Sequence, residues 1–166
     1  MHKPDANTEF LLASETFLRE HFDRICEACE RLTPEQLWWR PNEASNSVAN
    51  LLMHLEGNVR QWIVSNCGGL PDKRQRSREF AAREGASREE LLDALGQTVL
   101  EACHVLAKFD PARMTEKRTV QGYEYTLLKA IYHSVEHFSY HTGQIVMRAK
   151  AISGDGFSWY KHLDGT

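Results

Sequence analysis

Hydrophobic residues recur along most of this chain at spacings of three, four and seven residues, the pattern of α-helices that each bury one face. In the first such segment Leu11, Leu18 and Ile25 stand seven residues apart. In the second, Leu51 and Leu55 stand four apart. Almost nothing alternates as a β-strand does. We therefore predict four long helices, at about residues 7–32, 47–66, 87–109 and 126–151.

Local signals mark where several elements begin and end. Ser87 and Glu90 have the spacing of a capping box, in which each side chain bonds the other residue's backbone N–H at a helix N-terminus. The glycine pair at residues 68–69 and the proline that follows end the second helix. The β-prone residues around Gln121 and Gly122 predict a small hairpin or an extended loop before the fourth helix.

The connections between the four predicted helices differ widely in length, which indicates an all-α four-helix bundle with at least one long crossover connection. The polar stretch at residues 70–86 leads to the third helix. A loop of this length in a compact domain is often functional or contains a short helical turn. A chain of 166 residues suits one domain, and we expect a single bundle over residues 1–166.

Composition narrows the classes of partner. The chain has 20 basic and 23 acidic residues and a net charge of −3, which gives no electrostatic argument for a nucleic-acid partner. No apolar run approaches the length of a membrane span, and the polar start at residues 1–7 is unlike a signal peptide. We expect a cytoplasmic protein whose four cysteines are reduced, with no nucleic-acid or membrane partner.

Candidate chemistry is concentrated in the fourth helix, where His133, His137 and His141 are spaced four residues apart. Neighbouring members of this series share one helix face and are about 6 Å apart along the axis, so either adjacent pair can bind one metal ion. The outer two are about 12 Å apart by the same rise, too far for all three to bind one ion. Spacing alone leaves the choice between the two pairs open.

A pair of histidines is an incomplete site, because catalytic zinc usually takes three protein ligands and keeps one position open. His54 is the best third ligand, since it lies among apolar residues of the second helix, where a buried imidazole needs a partner. The alternative is a core histidine satisfied by an ordinary hydrogen bond. The remaining histidines stand alone and are expected to have surface or structural roles; they are His2, His21, His104 and His162.

Two stretches resemble the DinB superfamily: residues 47–55 with the following Arg-Gln-Trp at 60–62, and residues 137–145, which read HFSYHTGQI. Arg78-Glu79-Phe80 and the order of elements across nearly the whole chain are also similar to that family. The resemblance implies a four-helix bundle with long-crossover connectivity and frequent homodimers. It further implies a divalent metal, nickel or zinc, bound by His54, His137 and His141. His133 falls outside this set.

Characterised relatives in that superfamily include thiol S-transferases and a thiol-dependent isomerase, and others are described as metal-dependent hydrolases. We therefore expect a metal-dependent enzyme of the thiol S-transferase or hydrolase type, acting on a small-molecule substrate and in some cases using a low-molecular-weight thiol. The alternative is a non-catalytic metal- or ligand-binding module of the stress response. No acidic residue stands out as a general base. Polar residues within one turn of a proposed ligand are Asn50, Asn58, Tyr140 and Gln144.

Overall fold

The structure is a computed structural model that describes residues 5–163. The segment 1–4, which contains His2, and residues 164–166 lie outside the described part of the chain. Apart from one small hairpin, the regular structure is helical, which confirms the predicted all-α class. In chain order the α-helices are α1 (Ala6–Glu30), α2 (Pro34–Trp38), α3 (Val48–Val59), α4 (Arg76–Ala81), α5 (Arg88–Ala107) and α6 (Leu127–Ser153).

Four of these helices form the bundle. Helix α1 packs against α5 and α6, and α3 packs against the same two helices, so α1 and α3 lie diagonally across the bundle. Their apolar faces meet in one continuous core because each helix buries residues spaced by three, four or seven positions. The largest fully buried side chains are Leu18, Ile25, Leu37, Leu52, Leu55, Ile63, Leu95, Leu106, Leu127, Ile131, Phe138 and Ile145.

The second long helix changes its winding part way along. The α-helical turns of α3 continue directly into a π-helical segment, Arg60–Ser65. A π-helical turn accommodates an extra residue and is frequent at functional sites. Hydrophobic periodicity does not predict this segment, because Trp62 and Ile63 continue the three- and four-residue spacing of Leu55 and Val59 in the sequence.

The long connection between α3 and α5 contains a short helix, which agrees with the helical turn that the length of this connection suggested. This helix is α4, and it packs against α3. At its far end α5 begins with the predicted capping box: Ser87 N donates to Glu90 Oε2 at 2.8 Å, and Glu90 N donates to Ser87 Oγ at 3.2 Å. The connection therefore holds α4 beside the middle of the bundle.

A two-stranded antiparallel hairpin precedes α6, so the first of the two predicted alternatives is correct. Its strands are β1 (Lys117–Val120) and β2 (Tyr123–Thr126), paired with Val120 opposite Tyr123. Gln121 and Gly122 form the two-residue turn with φ values of 53° and 80°, the left-handed conformation that tight hairpins require. Val120 packs with Trp62, which places the hairpin over the π-helical segment. No helix within residues 5–163 is long and apolar enough to cross a membrane.

Candidate metal centre

His54 lies on the inner face of α3 and is only 5% exposed. Helix α3 begins at the capping residue Ser47, whose Oγ accepts from the backbone N–H of Asn50 at 3.1 Å. From that start, Leu51, His54 and Leu55 fall on the side that faces the core. The fold therefore places a polar ring in an apolar position, where it needs a hydrogen-bonding or metal partner.

His137 and His141 reach the same point from α6. The ring centroids of the two are 4.4 Å apart, and each lies 5.0 Å from the ring centroid of His54. One ring nitrogen from each of the three lies within 4.8 Å of the other two, and the Nε2 atoms of His54 and His137 are 2.9 Å apart. Of the two pairs that spacing allowed on this helix, the structure brings His137 and His141 to His54.

This triangle of nitrogens fits a divalent ion. Three imidazoles on one tetrahedral zinc, at about 2.0–2.1 Å each, stand roughly 3.4 Å from one another, so modest ring rotations bring all three into range. Metal ligation needs neutral imidazoles. Burial, together with His141 and His54 nearby, lowers the pKa of His137 to about 3, and burial also lowers the pKa of His141. Both rings are therefore neutral at pH 7, and the cluster could hold a metal ion.

A buried ion pair fixes the orientation of His54. Its Nδ1 lies 2.9 Å from Glu79 Oε2, and Glu79 is 6% exposed. Arg74 holds the same carboxylate with two parallel bonds, from Nε to Oε1 at 2.7 Å and from Nη2 to Oε2 at 2.9 Å. Burial alone would raise the pKa of Glu79, but its bonds to Arg74 and His54 outweigh burial and lower that pKa.

The Glu79 contact also determines the tautomer of His54. An ionised carboxylate only accepts hydrogen bonds, so Nδ1 of His54 carries the proton and donates it. Arg74 Nη2 lies 3.1 Å from the same Nδ1, but it is itself a donor and its bond goes to Glu79. In the neutral ring the lone pair of His54 is then on Nε2, which accepts a hydrogen bond from Nε2 of His137 at 2.9 Å. Carboxylates hold metal-binding histidines in this way in many proteins.

Two residues of α3 make room for Glu79 and hold its helix in place. A Cβ at Gly57 would overlap Glu79 Oε1 and lie 2.9 Å from Arg74 Nε, so the missing side chain creates the space for the ion pair. Asn50 Nδ2 donates to the carbonyl oxygens of Glu79 at 2.7 Å and Ala82 at 3.0 Å. The α3 helix therefore positions the carboxylate as well as the histidine.

Support on the α6 side is weaker. Nδ1 of His141 donates to Oε1 of Gln144 at 2.7 Å, which leaves Nε2 of His141 free to face the cluster. Gln144 is exposed, and so is Tyr140, whose ring meets the His141 ring edge-on at 5.1 Å. Asn58 accepts a bond from Ser134 instead. Of the four polar neighbours expected from sequence, only Gln144 forms a hydrogen bond with a histidine of the cluster. Asn50 contributes indirectly, because it bonds the backbone of α4, the helix that carries Glu79.

A cavity of about 310 Å³ opens beside the cluster, bordered by His54 and His137. His133 lines this cavity with its ring centroid 5.5 Å from that of His137 and 4.6 Å from that of Trp62. Burial lowers the pKa of His133, so this ring is also neutral at pH 7. His133 is therefore a wall of the cavity rather than a member of the triangle.

The other candidate residues lie apart from this centre. His21, His104 and His162 are not part of the three-histidine cluster. Cys29 is buried and Cys26 half-buried on α1, and burial raises the pKa of Cys26 to about 11. Sequence reasoning did not identify Glu79 or Arg74 as partners of His54. The available signal was the Arg78-Glu79-Phe80 resemblance, since Phe80 also packs on the His54 ring at 4.8 Å.

Comparison with known proteins places this chain in a family. The fold is similar to that of a conserved protein from Enterococcus faecalis, with a TM-score of 0.71 and 17% identity over 87% of this chain and 97% of the other. It is also similar to the DinB-like protein YjoA from Bacillus subtilis, with a TM-score of 0.67 and 14% identity over 89% and 96%. No functionally curated protein matches the sequence.

A family model described as "Protein of unknown function (DUF1572)" matches residues 5–163, which is nearly the whole chain. The two structural neighbours share the helical-bundle fold, and one of them is DinB-like by its own description. The resemblance noted in the sequence is thereby confirmed. The chain belongs to the DUF1572 family, a DinB-like family.

Proposed function

We propose that His54, His137 and His141 bind one divalent metal ion, with zinc or nickel as the expected metals. The observation that carries this proposal is the convergence of three ring nitrogens within 4.8 Å of one another beside an accessible cavity. Imidazole ligands suit both metals. The hydrogen bonds to Glu79 and Gln144 support the proposal, because they keep the metal-facing nitrogens of His54 and His141 free of protons.

We further propose that the chain is a metal-dependent enzyme of the thiol S-transferase or hydrolase type. A divalent ion on three neutral imidazoles lowers the pKa of a bound water or low-molecular-weight thiol and so supplies a nucleophile at neutral pH. Three histidine ligands would leave one position of a four-coordinate ion open, and the cavity bordered by His54 and His137 would give a small molecule a route to it. His133, neutral in the wall of that cavity, is placed to accept a proton there.

Metal titration of single variants tests the ligand set. We expect His54→Ala, His137→Ala and His141→Ala each to lose most bound zinc or nickel in a competition titration against a coloured chelator. His133→Ala is the matched control, because it lies on the same face of α6 and should keep its metal. Full occupancy in all three cluster variants, or loss of metal in His133→Ala, would contradict the assignment.

The enzyme proposal needs its own measurement. Protein purified without chelators or an affinity tag is analysed for its metal and then assayed with low-molecular-weight thiols, electrophiles and hydrolysable esters. We expect turnover that His54→Ala abolishes. A metal-loaded crystal structure in which a fourth protein ligand closes the site would favour the non-catalytic module instead. The homodimer implied by the superfamily stays a prediction, which light scattering tests.

A further inference from the structure

The charges around the cavity beside the cluster have one sign. Two arginines line it and no aspartate or glutamate does. Arg74 is neutralised by Glu79, which lies outside the lining. Arg76 has no ion pair within residues 5–163, and its guanidinium lies 4.9 Å from the centre of the Phe80 ring. The cavity therefore carries an unmatched positive charge, to which a divalent ion on neutral histidines would add.

The cavity wall is aromatic. Trp62 is 3% exposed, and the rings of Tyr125 and His133 lie 5.4 Å and 4.6 Å from its ring. Flat ring faces of this kind pack well against a planar ligand.

We propose that this cavity selects a small organic anion, a carboxylate on a planar body, as the substrate class of the metal centre. Arg76 balances the carboxylate charge, and the aromatic walls cover the planar body. A volume of about 310 Å³ is at the small end of ligand pockets and suits a ligand of this size. The inference rests on the proposed metal-dependent function and extends it to a class of substrate.

The probes are benzoate and its neutral analogue benzamide, each titrated calorimetrically into zinc-loaded protein. We expect benzoate to bind about tenfold more tightly than benzamide. Arg76 is exposed, so water screens its charge, and we expect Arg76→Gln to weaken benzoate about three- to tenfold.

Arg78→Gln is the matched control. Arg78 is exposed on the same helix, α4, has no ion pair within residues 5–163 and does not line this cavity. It should bind benzoate as the wild type does, and the unfolding midpoint of each variant shows whether the fold is intact. Equal affinity for benzoate and benzamide, or equal effects of Arg76→Gln and Arg78→Gln, overturns the anion inference and leaves the metal site standing. Protein that binds no zinc overturns the proposed function itself.

Discussion

The three histidines meet at one point, but the two sides of the bundle that supply them are built differently. On the α3–α4 side His54 is buried, and its far nitrogen donates to a carboxylate that Arg74 holds with two bonds. On the α6 side His137 and His141 are half-buried, and the far nitrogen of His141 donates to the exposed amide of Gln144. One side is an anchored histidine, and the other is a pair of histidines with weaker support.

This difference shows where the fold itself determines the geometry of the site. A buried, bidentate ion pair has little freedom to rearrange, so the direction of the His54 lone pair is set in the metal-free protein. An exposed hydrogen bond competes with water and contributes little to orientation. We infer that α3 and α4 form a preorganised half-site for the proposed metal ion, and that the α6 pair would complete its geometry on binding.

The largest effect is expected from removing the anchor. Glu79→Gln leaves Arg74 buried without a counter-charge, and breaking a buried pair in this way costs about 3–5 kcal/mol of unfolding free energy. Loss of the carboxylate behind a metal-binding histidine lowers metal affinity about 10–100-fold. Urea unfolding of the metal-free protein and a zinc competition titration measure the two effects separately.

A double variant separates the support of His54 from general destabilisation. Arg74→Gln with Glu79→Gln removes both charges, so it should recover part of the lost stability while zinc affinity stays low. Glu84→Gln, which changes an exposed carboxylate elsewhere in the same connection, should alter neither quantity. Zinc affinity that recovers together with stability in the double variant would show that Glu79 acts on the fold rather than on His54.

A second prediction concerns acid and the α6 side. The pKa of His137 is about 3 in the folded chain, against an ordinary value of 6.5, because burial and the neighbouring histidines disfavour its charged form. The unfolded chain therefore takes up a proton below pH 6.5 that the folded chain does not. The free energy of unfolding of chelator-treated protein should fall by about 1 kcal/mol per pH unit from this group as pH drops from 6.5 toward 3.

Urea titrations at several pH values measure this slope. We expect a shallower slope in His137→Gln, which has no imidazole to protonate at that position. His104→Gln on the exposed face of α5 should have the wild-type slope. Identical slopes for all three proteins would mean that the surroundings of His137 do not lower its pKa in the metal-free protein.

A third prediction compares a glycine on each side. Gly57→Ala pushes a methyl group into Glu79 and Arg74, so we expect zinc affinity to fall about tenfold as the carboxylate leaves His54. Gly143→Ala, two residues from His141, meets nothing within 4 Å and should leave zinc affinity unchanged. It should also stabilise α6 by roughly 1 kcal/mol through helix propensity. Equal zinc affinity in the two alanine variants would contradict the half-site interpretation.

Most of the fold could be predicted from sequence, because a helix that buries one face has hydrophobic residues at regular spacings along its sequence. The capping box at Ser87 and the turn at Gln121–Gly122 could be identified because both are local. The π-helical turn at Arg60–Ser65 could not, since Trp62 and Ile63 continue the hydrophobic spacing of the α-helix before them. The position of α4 against α3 depends on contacts across the bundle, which periodicity does not record.

The site was predictable only in part, for a related reason. Spacing placed two adjacent histidines of α6 within reach of one ion, and the superfamily resemblance indicated which two. Glu79 and Arg74 lie 25 and 20 residues from His54 in a segment without periodicity, so neither could be paired with it from the residues alone. The role of Gly57 could not be predicted either, because this residue acts by leaving space that a side chain would fill.

The smallest effect is expected at Gln144, where the weaker side can be altered directly. Gln144→Ala removes one exposed hydrogen bond from His141 and should weaken zinc binding only about threefold, since exposed bonds contribute little. Gln144→Glu places a carboxylate on the same Nδ1–H, as Glu79 does for His54, and should tighten zinc binding a few-fold by raising ligand basicity. Competition titrations of both variants make the test. If Gln144→Glu binds zinc no better than Gln144→Ala, a carboxylate alone is not enough to hold a histidine in its metal-binding orientation. The difference between the two sides would then lie in the burial of Glu79 and in its ion pair with Arg74.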